Sequence, residues 1–528
     1  MKKLFFLPAL AAMMFSSCSS DEPTVDPSVD QDADKYMAFS ITNLGGSRAD
    51  DETIFEDAAG TEGDIDADNL YFLFFDRNNN AFMLEGRSVS GDVTLTNMVK
   101  PTSVIAQKPN AAGNETLTGT LVLGKPGEPF LGQEPALVLC VANPSTTAMS
   151  KLGGQNLSEV LKTITSAPDW ANGKFLMTNA TFVKGTGTTA AVETATSTTG
   201  HIKKTVGEAE GSPVIINLER AAAKVRVAYD PDYTVNNIDT DPSTTTFKVD
   251  GKDTELHVQV YGWRLMNYAT SGYGFKQLSS SYTFDPAWTW NDENKGRSYW
   301  ANSLASATIS HPHSAATPNY DLYADGADDN FTLKSFVSGV TNVAYCYENT
   351  LHQDAATNNR TIGATAFVVK AVIGTGAGEN FTAIDMVKYA GKLYTVAHFK
   401  EMILNQFKSG EPDANATNTT VKFIVDDASK NTWKAVVTYN GHDNDMSYIY
   451  NNFLWWQDGV TSYWMNIQHF GGLTGVVRNH IYDYDIEAFN GLGIPGNIPE
   501  IPTDKESYMA AALRVLNWHV VKHNVTLE

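Results

Sequence analysis

The sequence predicts an all-β chain built from two β-sandwich domains with a few short helices, and three observations carry that prediction. Short runs rich in Val, Ile, Phe, Tyr and Thr recur along the chain between Gly, Pro, Asn and Asp turn residues. Apolar residues at helical spacing stand out in only two places. Finally, 528 residues of which 42% are apolar and 11% aromatic suffice for more than one packed core.

At the start, Lys2 and Lys3 precede an apolar stretch, 4–15, that is too short to span a bilayer, and the small Ser16 and Ser17 then stand before Cys18. This beginning resembles a bacterial lipoprotein signal, in which cleavage precedes Cys18 and acyl chains are attached to it. Several acyl chains, at about 0.8 kcal/mol per buried methylene, hold a protein on a membrane stably. Residues 21–35 are acidic, contain Pro and lack periodicity, which reads as a tether. The run 36–42, with Tyr36, Ala38, Phe39 and Ile41, reads as a strand before Gly45-Gly46.

Residues 69–76 (NLYFLFFD) and 136–142 are continuous apolar runs expected to be buried on both faces, the second around Cys140. Residues 115–123 alternate. A helix is expected over 157–164, where Leu157, Val160, Leu161 and Ile164 share a face behind Asn156 or Ser158. The Thr-, Ala- and Gly-rich stretch 178–201 reads as loop or weak surface strands. A domain boundary is placed just before Pro213, within about ten residues. Strands follow at 213–229, 255–268, 364–372, 421–425, 433–439, 463–469 and 476–489. A second helix is expected over 395–407 from Val396, Phe399, Ile403 and Phe407.

At the end, the Pro-spaced 494–502 must be extended, because each Pro fixes its φ and disfavours helix in the residue before it. Leu513, Val515, Val521, Val525 and Leu527 share one parity; Leu516, Trp518 and Val520 share the other. That phase change predicts two short strands with a bend near 517–519, and no turn residue is present to fold the segment back.

Site chemistry is absent from the pattern. A net charge of −22 with no Lys/Arg cluster disfavours nucleic acid. Gly491-Leu492-Gly493-Ile494-Pro495-Gly496 matches a dinucleotide fingerprint, but Pro499 and Pro502 forbid the helix it must open, so it reads as a turn. Asp64-Ile65-Asp66-Ala67-Asp68 has the spacing of calcium ligands without the required Gly and Glu. His311 and His313 lack further ligands, and 442–445 reads as a polar turn. Cys140 and Cys346 read as buried small residues, and Trp455, Trp456, Tyr463 and Trp464 as core rather than a sugar platform. No catalytic residue, metal or cofactor is expected.

Four features in order resemble the type V pilins, the fimbrillins of Bacteroidales, and among them the major subunits of short fimbriae. They are the start ending at Cys18, and the strand 36–42 followed by Gly45-Gly46-Ser47-Arg48-Ala49. Next come Leu218-Glu219-Arg220-Ala221-Ala222-Ala223-Lys224-Val225 together with Val476-Val477-Arg478-Asn479-His480-Ile481-Tyr482. The last is the strand closing on Leu516-Asn517-Trp518-His519-Val520 and Val525-Thr526-Leu527.

The resemblance implies transthyretin-like, Greek-key sandwiches exported as outer-membrane lipoproteins. An Arg-specific protease would cut after Arg48, making Ala49 the new N-terminus and removing the strand with Tyr36, Ala38, Phe39 and Ile41. A neighbour's C-terminal strand, drawn from Leu513, Val515, Leu516, Trp518, Val520, Val521, Val525 and Leu527, would fill the vacated groove. The implied layout is a signal at 1–18, a propeptide at 19–48, sandwiches at 49–212 and 213–493, and an arm with donor strand at 494–528. Implied partners are further copies, accessory fimbrial subunits, the protease, membrane lipid through Cys18 and a host surface ligand. The rival readings are a C-terminal strand folded into its own domain, and a monomeric surface lipoprotein or tip adhesin.

Overall fold

The computed structural model describes residues 35–43, 65–84, 97–106, 116–123, 134–166, 174–184, 191–230, 232–237, 243–266, 268–269, 271–278, 301–304, 320–321, 343–350, 365–415, 417–427, 431–469, 474–496, 508–516 and 521–525. Cys18, Arg48, Ala49, His311, His313, Trp518, Val520 and Leu527 lie outside them.

A strand without polar residues has no face to offer water, and the N-terminal sheet is arranged around such strands. Its elements are β1 (Tyr36–Asn43), β2 (Leu70–Phe75), β3 (Thr116–Val122), β4 (Leu137–Ala142), α1 (Thr146–Met149), α2 (Leu157–Leu161), β5 (Ile164–Ser166), β6 (Met177–Asn179), α3 (Val206–Glu210) and β7 (Val214–Arg220). Every residue of β2 is buried, as are the last five of β4. The strand order is β2–β4–β6–β7–β1–β3, with Met98–Val99 beyond β2 and Ser103–Ala106 beyond β3. All these pairs are antiparallel except β1 with β7. The sheet curls until β1 and β2, which are not neighbours in it, face each other, with the Phe39 and Phe72 rings 4.6 Å apart.

Two expectations change here. Helix α2 starts behind Asn156 and buries Leu157 and Val160, but Ile164 leaves its face and is 41% exposed in β5. A strand partner from the second domain takes it instead. Within 178–201, Thr178, Asn179, Thr181 and Thr198 are buried rather than superficial, and the Asn179 Oδ1 accepts from Cys140 N at 2.6 Å. Side-chain hydrogen bonds satisfy these polar groups, which composition alone does not reveal.

The second unit contains β8 (Ala223–Ala228), β9 (Asp232–Asn236), β10 (Thr246–Val249), β11 (His257–Met266), β12 (Ser271–Tyr273), β13 (Val343–Cys346), β14 (Ala366–Thr375), β15 (Met386–Tyr389), β16 (Lys392–Thr395), α4 (Val396–Lys408), β17 (Thr419–Asp427), β18 (Thr432–Tyr439), β19 (His442–Asp445), β20 (Leu454–Trp456), β21 (Val460–Asn466), β22 (Ile481–Asn490), β23 (Ile494–Pro495), β24 (Tyr508–Leu516) and β25 (Val521–Val525). The order β13–β8–β22–β9–β11–β14–β21–β23 folds over a core that includes Val225, Trp263, Phe367, Tyr463 and Tyr484. Phe367 and Tyr484 meet across it at 4.7 Å. Each unit has one parallel pair that joins an early strand to a late one: β1 with β7, and β8 with β22. The chain is all-β in class, with short helices. Strand β7 belongs to the N-terminal sheet, so the sheets change hands at Ala221-Ala222, within ten residues of Pro213.

Between β14 and β21, which pair with each other, the chain builds a further layer. Strands β10, β16, β15 and β20 form a sheet that turns Met386, Leu393 and Trp456 to the main core. Its other side, with α4 and β17–β18–β19, encloses Val387, Phe399, Ile403, Val437, Tyr450 and Phe453. The Thr395 Oγ1 caps α4 by accepting from His398 N at 3.3 Å. The turn expected at 442–445 lies earlier, at Asn440-Gly441, whose φ values of 50° and 81° suit a tight hairpin. His442–Asp445 is a strand. At 491–496 a turn is present: Gly493 has φ 66°, and a Cβ there would stand 2.9 Å from Ser462 O. The extended segment begins as β23 on β21.

Candidate functional site

β1 lies inside the sheet, with a partner strand on each side. Residues Phe39 to Asn43 pair in parallel with Val214 to Leu218 of β7, while Tyr36 to Thr42 pair antiparallel with Val122 to Thr116 of β3. Both faces are covered. Met37, Phe39 and Ile41 enter the main core with Leu70, Phe72 and Val138, while Tyr36 and Ala38 pack with Val122 and with Ala209 of α3. The sequence singled out Tyr36, Ala38, Phe39 and Ile41, and all four are buried; Met37, fully buried, was missed although it alternates correctly with Phe39 and Ile41.

The opposing strand is shaped to β1. Residue 119 on β3 has no side chain, and a Cβ there would approach the Phe39 ring to 2.5 Å. Lys35, just before β1, reaches Glu134 at 3.1 Å, an exposed pair of little energetic weight.

The other end of the chain forms an antiparallel pair, β24 with β25, placed on the edge of β22 that β8 and β9 leave free. Leu513, Val515 and Leu516 fall in β24, Val521 and Val525 in β25; the bend expected near 517–519 lies outside the described residues. The expectation that nothing folds the segment back does not hold. β24 returns along β22 from Tyr508 opposite Asn490 to Leu516 opposite Ile481, because an open edge offers a ladder of unpaired backbone groups that any extended segment can satisfy.

The two internal patterns meet where the domains join. Asn479 Oδ1 accepts from Arg220 N at 3.2 Å. The Arg478 guanidinium is almost wholly buried; its Nε donates to Glu348 at 2.8 Å, and its other nitrogens donate to Gly274 O at 2.9 Å and Tyr273 O at 2.7 Å. Lys276 and Glu219, also buried, pair at 3.1 Å. Burial pushes the Glu219 carboxyl above its ordinary range; Lys276 and Arg478 pull it back, and Glu348 pushes it further. β5 crosses to pair with β12, where Gly272 leaves room for the Tyr347 ring and Thr165 donates to the Tyr347 hydroxyl at 2.9 Å. Charged letters inside apolar runs signalled Glu219 and Arg478. Lys276 and Glu348 carried no such signal.

These groups are structural in their chemistry. Burial raises both described thiols, Cys346 to about 12, which removes them as nucleophiles at neutral pH. Asp66 caps a short helical turn and pairs with Lys174 at 3.1 Å. Trp456 and Tyr463 are core residues, and Trp455 donates its indole N–H to Asp385 at 2.6 Å.

No protein-family model matches the chain, and no curated protein matches it. Solved structures do align with it along most of its length. A candidate cell adhesion protein from Parabacteroides distasonis is 11% identical, over 92% of this chain and 99% of its own, with a TM-score of 0.37. One from Bacteroides eggerthii is 12% identical, over 94% and 98%, at 0.32. The C-terminally truncated tip fimbrial protein of Porphyromonas gingivalis is 12% identical, over 92% and 100%, at 0.29. None of these scores is high enough to carry a role across, so a role for this chain has to come from its own strands.

Proposed function

We propose that this chain is a structural subunit of a surface fimbria, exported as a lipoprotein through Cys18, cut after Arg48, and polymerised when a neighbour's C-terminal strand replaces β1. The observation that supports it is the place of β1. It is the first described strand and sits between two partners, so cutting behind it can release it. Release would open a slot with unpaired backbone on both sides and the pockets of Tyr36, Met37, Phe39 and Ile41, worth about 1.5–3 kcal/mol for each side chain refilled. A strand from another copy restores ladder and pockets together, which is β-augmentation. Groove and donor are different surfaces, so the contact is head-to-tail and extends into a filament. Partners under this reading are further copies, accessory subunits, an Arg-specific protease and, before the cut, outer-membrane lipid; the role is adhesion or biofilm formation, without catalysis.

The test uses two forms, 19–528 and 49–528, run unheated on a denaturing gel and viewed by negative stain. A ladder or filaments from the shorter form alone, abolished by deleting 507–528, is the expected result. Arg48→Ala should leave unpolymerised precursor. The pairing of β24 with β22 favours a second reading, a monomeric tip adhesin or surface lipoprotein for a host ligand. Monomer from both forms after long incubation would select it.

A further inference from the structure

The tripeptide Tyr-Met-Ala occurs twice in the chain, and each copy opens a strand: Tyr36-Met37-Ala38 opens β1, and Tyr508-Met509-Ala510 opens β24. From this we infer the register of exchange: β24 of a second copy enters the groove as a direct replica of β1, in the same direction, with Tyr508 at the place of Tyr36. The inference rests on the strand-exchange reading and adds to it which residue fills which pocket.

Placed so, Tyr508 and Ala510 take the positions of Tyr36 and Ala38, which pack with Val122 and with Ala209 of α3. Met509 takes the Met37 position in the core, and Leu513 that of Ile41. Ala512 stands for Ser40, opposite Thr118 of β3 and Ile215 of β7. The strand runs parallel to β7 and antiparallel to β3, as β1 does.

One pocket is left underfilled. Ala511 falls at Phe39, the side chain that lies over Gly119 and against Phe72. The replica therefore fits less well than the original. An intact β1, held on the same chain and carrying the ring, outcompetes β24, and exchange waits for β1 to be removed. The mismatch makes the cut a switch.

Cysteines locate the register. The native thiols that remain after the cut, Cys140 and Cys346, are buried in the uncut chain, and the parent chain, cut and oxidised alike, gives their background. The full chain carrying Thr118→Cys and Ala512→Cys, cut after Arg48 and oxidised, should give a covalent ladder that survives boiling, because directly opposed residues bring their Cβ atoms within disulfide reach. Thr118→Cys with Ala510→Cys or Arg514→Cys should not. In parallel, Ala511→Phe should slow heat- or detergent-driven dissociation of the polymer by roughly tenfold or more, since refilling an aromatic pocket recovers much of a large truncation penalty. Cross-linking through 510 or 514 instead, or an Ala511→Phe polymer no more durable than the parent, overturns the register while the strand-exchange reading stands. No polymer at all from the cut parent chain overturns both.

Discussion

Phe39 and Gly119 face each other across two paired strands, and the ring, together with the Ser103 carbonyl oxygen, occupies the volume that a side chain on residue 119 would need. The fit ties the first described strand to a position far along the sequence. Replacing Gly119 by Val should destabilise the uncut chain by about 1–3 kcal/mol, the usual cost of overpacking. Urea unfolding of the uncut form reads this. A Gly119→Val chain as stable as the parent would mean that β1 is not seated against β3.

At the domain junction, Arg478 and Glu348 form a buried pair 2.7 Å apart. Removing one partner leaves an uncompensated charge, so Arg478→Met should cost about 3–5 kcal/mol. Removing both, as Arg478→Met with Glu348→Leu, should recover much of the loss. Equal losses from the single and double variants, measured by denaturant titration, would show that the charge pairing itself contributes nothing.

Glu219 supplies a pH dependence whose sign is fixed by burial. Its folded-state carboxyl holds its proton more tightly than the ordinary value of 4.5. That contribution to stability is complete below 4.5 and is lost as pH rises through the raised folded value. The stability of the parent relative to Glu219→Gln should therefore fall as pH is taken from 4.5 towards neutrality. A difference that is flat, or that rises over this window, would place the Lys276 attraction above the burial effect.

The layer around α4 has its own core, centred on Phe399, which touches the rings of Tyr389, Phe423, Tyr450 and Phe453. Phe399→Ala should cost that layer about 3–5 kcal/mol. Hydrogen exchange should then speed up in β17, β18 and β19 while β8 and β22 stay protected. Loss of protection in β8 and β22 to the same extent would mean that the two cores unfold as one.

Much of this was legible because local pattern and local burial agree. The runs at 70–75 and 137–142 have no polar face, and α4 places Val396, Phe399 and Ile403 on one side behind a capping Thr395. Where reading failed, a partner distant in sequence had overruled local preference. Ile164 continues a helical face on paper, yet β12 draws it into a strand. Lys276 is a charged residue inside the fold whose partner, Glu219, lies far from it in sequence.

The amino-acid order by itself determined the class of the chain, its two helices with clear faces, the strand at 36–42, and the division of the C-terminal segment into two strands, because each depends on residues within a turn or two of one another. Only the tertiary structure decided that β1 is an interior strand held from both sides, that the C-terminal pair rests on β22, and that 376–459 adds a layer with a second core. Those outcomes depend on which edge a strand finds. Backbone hydrogen bonds are chemically alike at every edge, so the choice is made by the pockets and neighbours that the whole fold brings together.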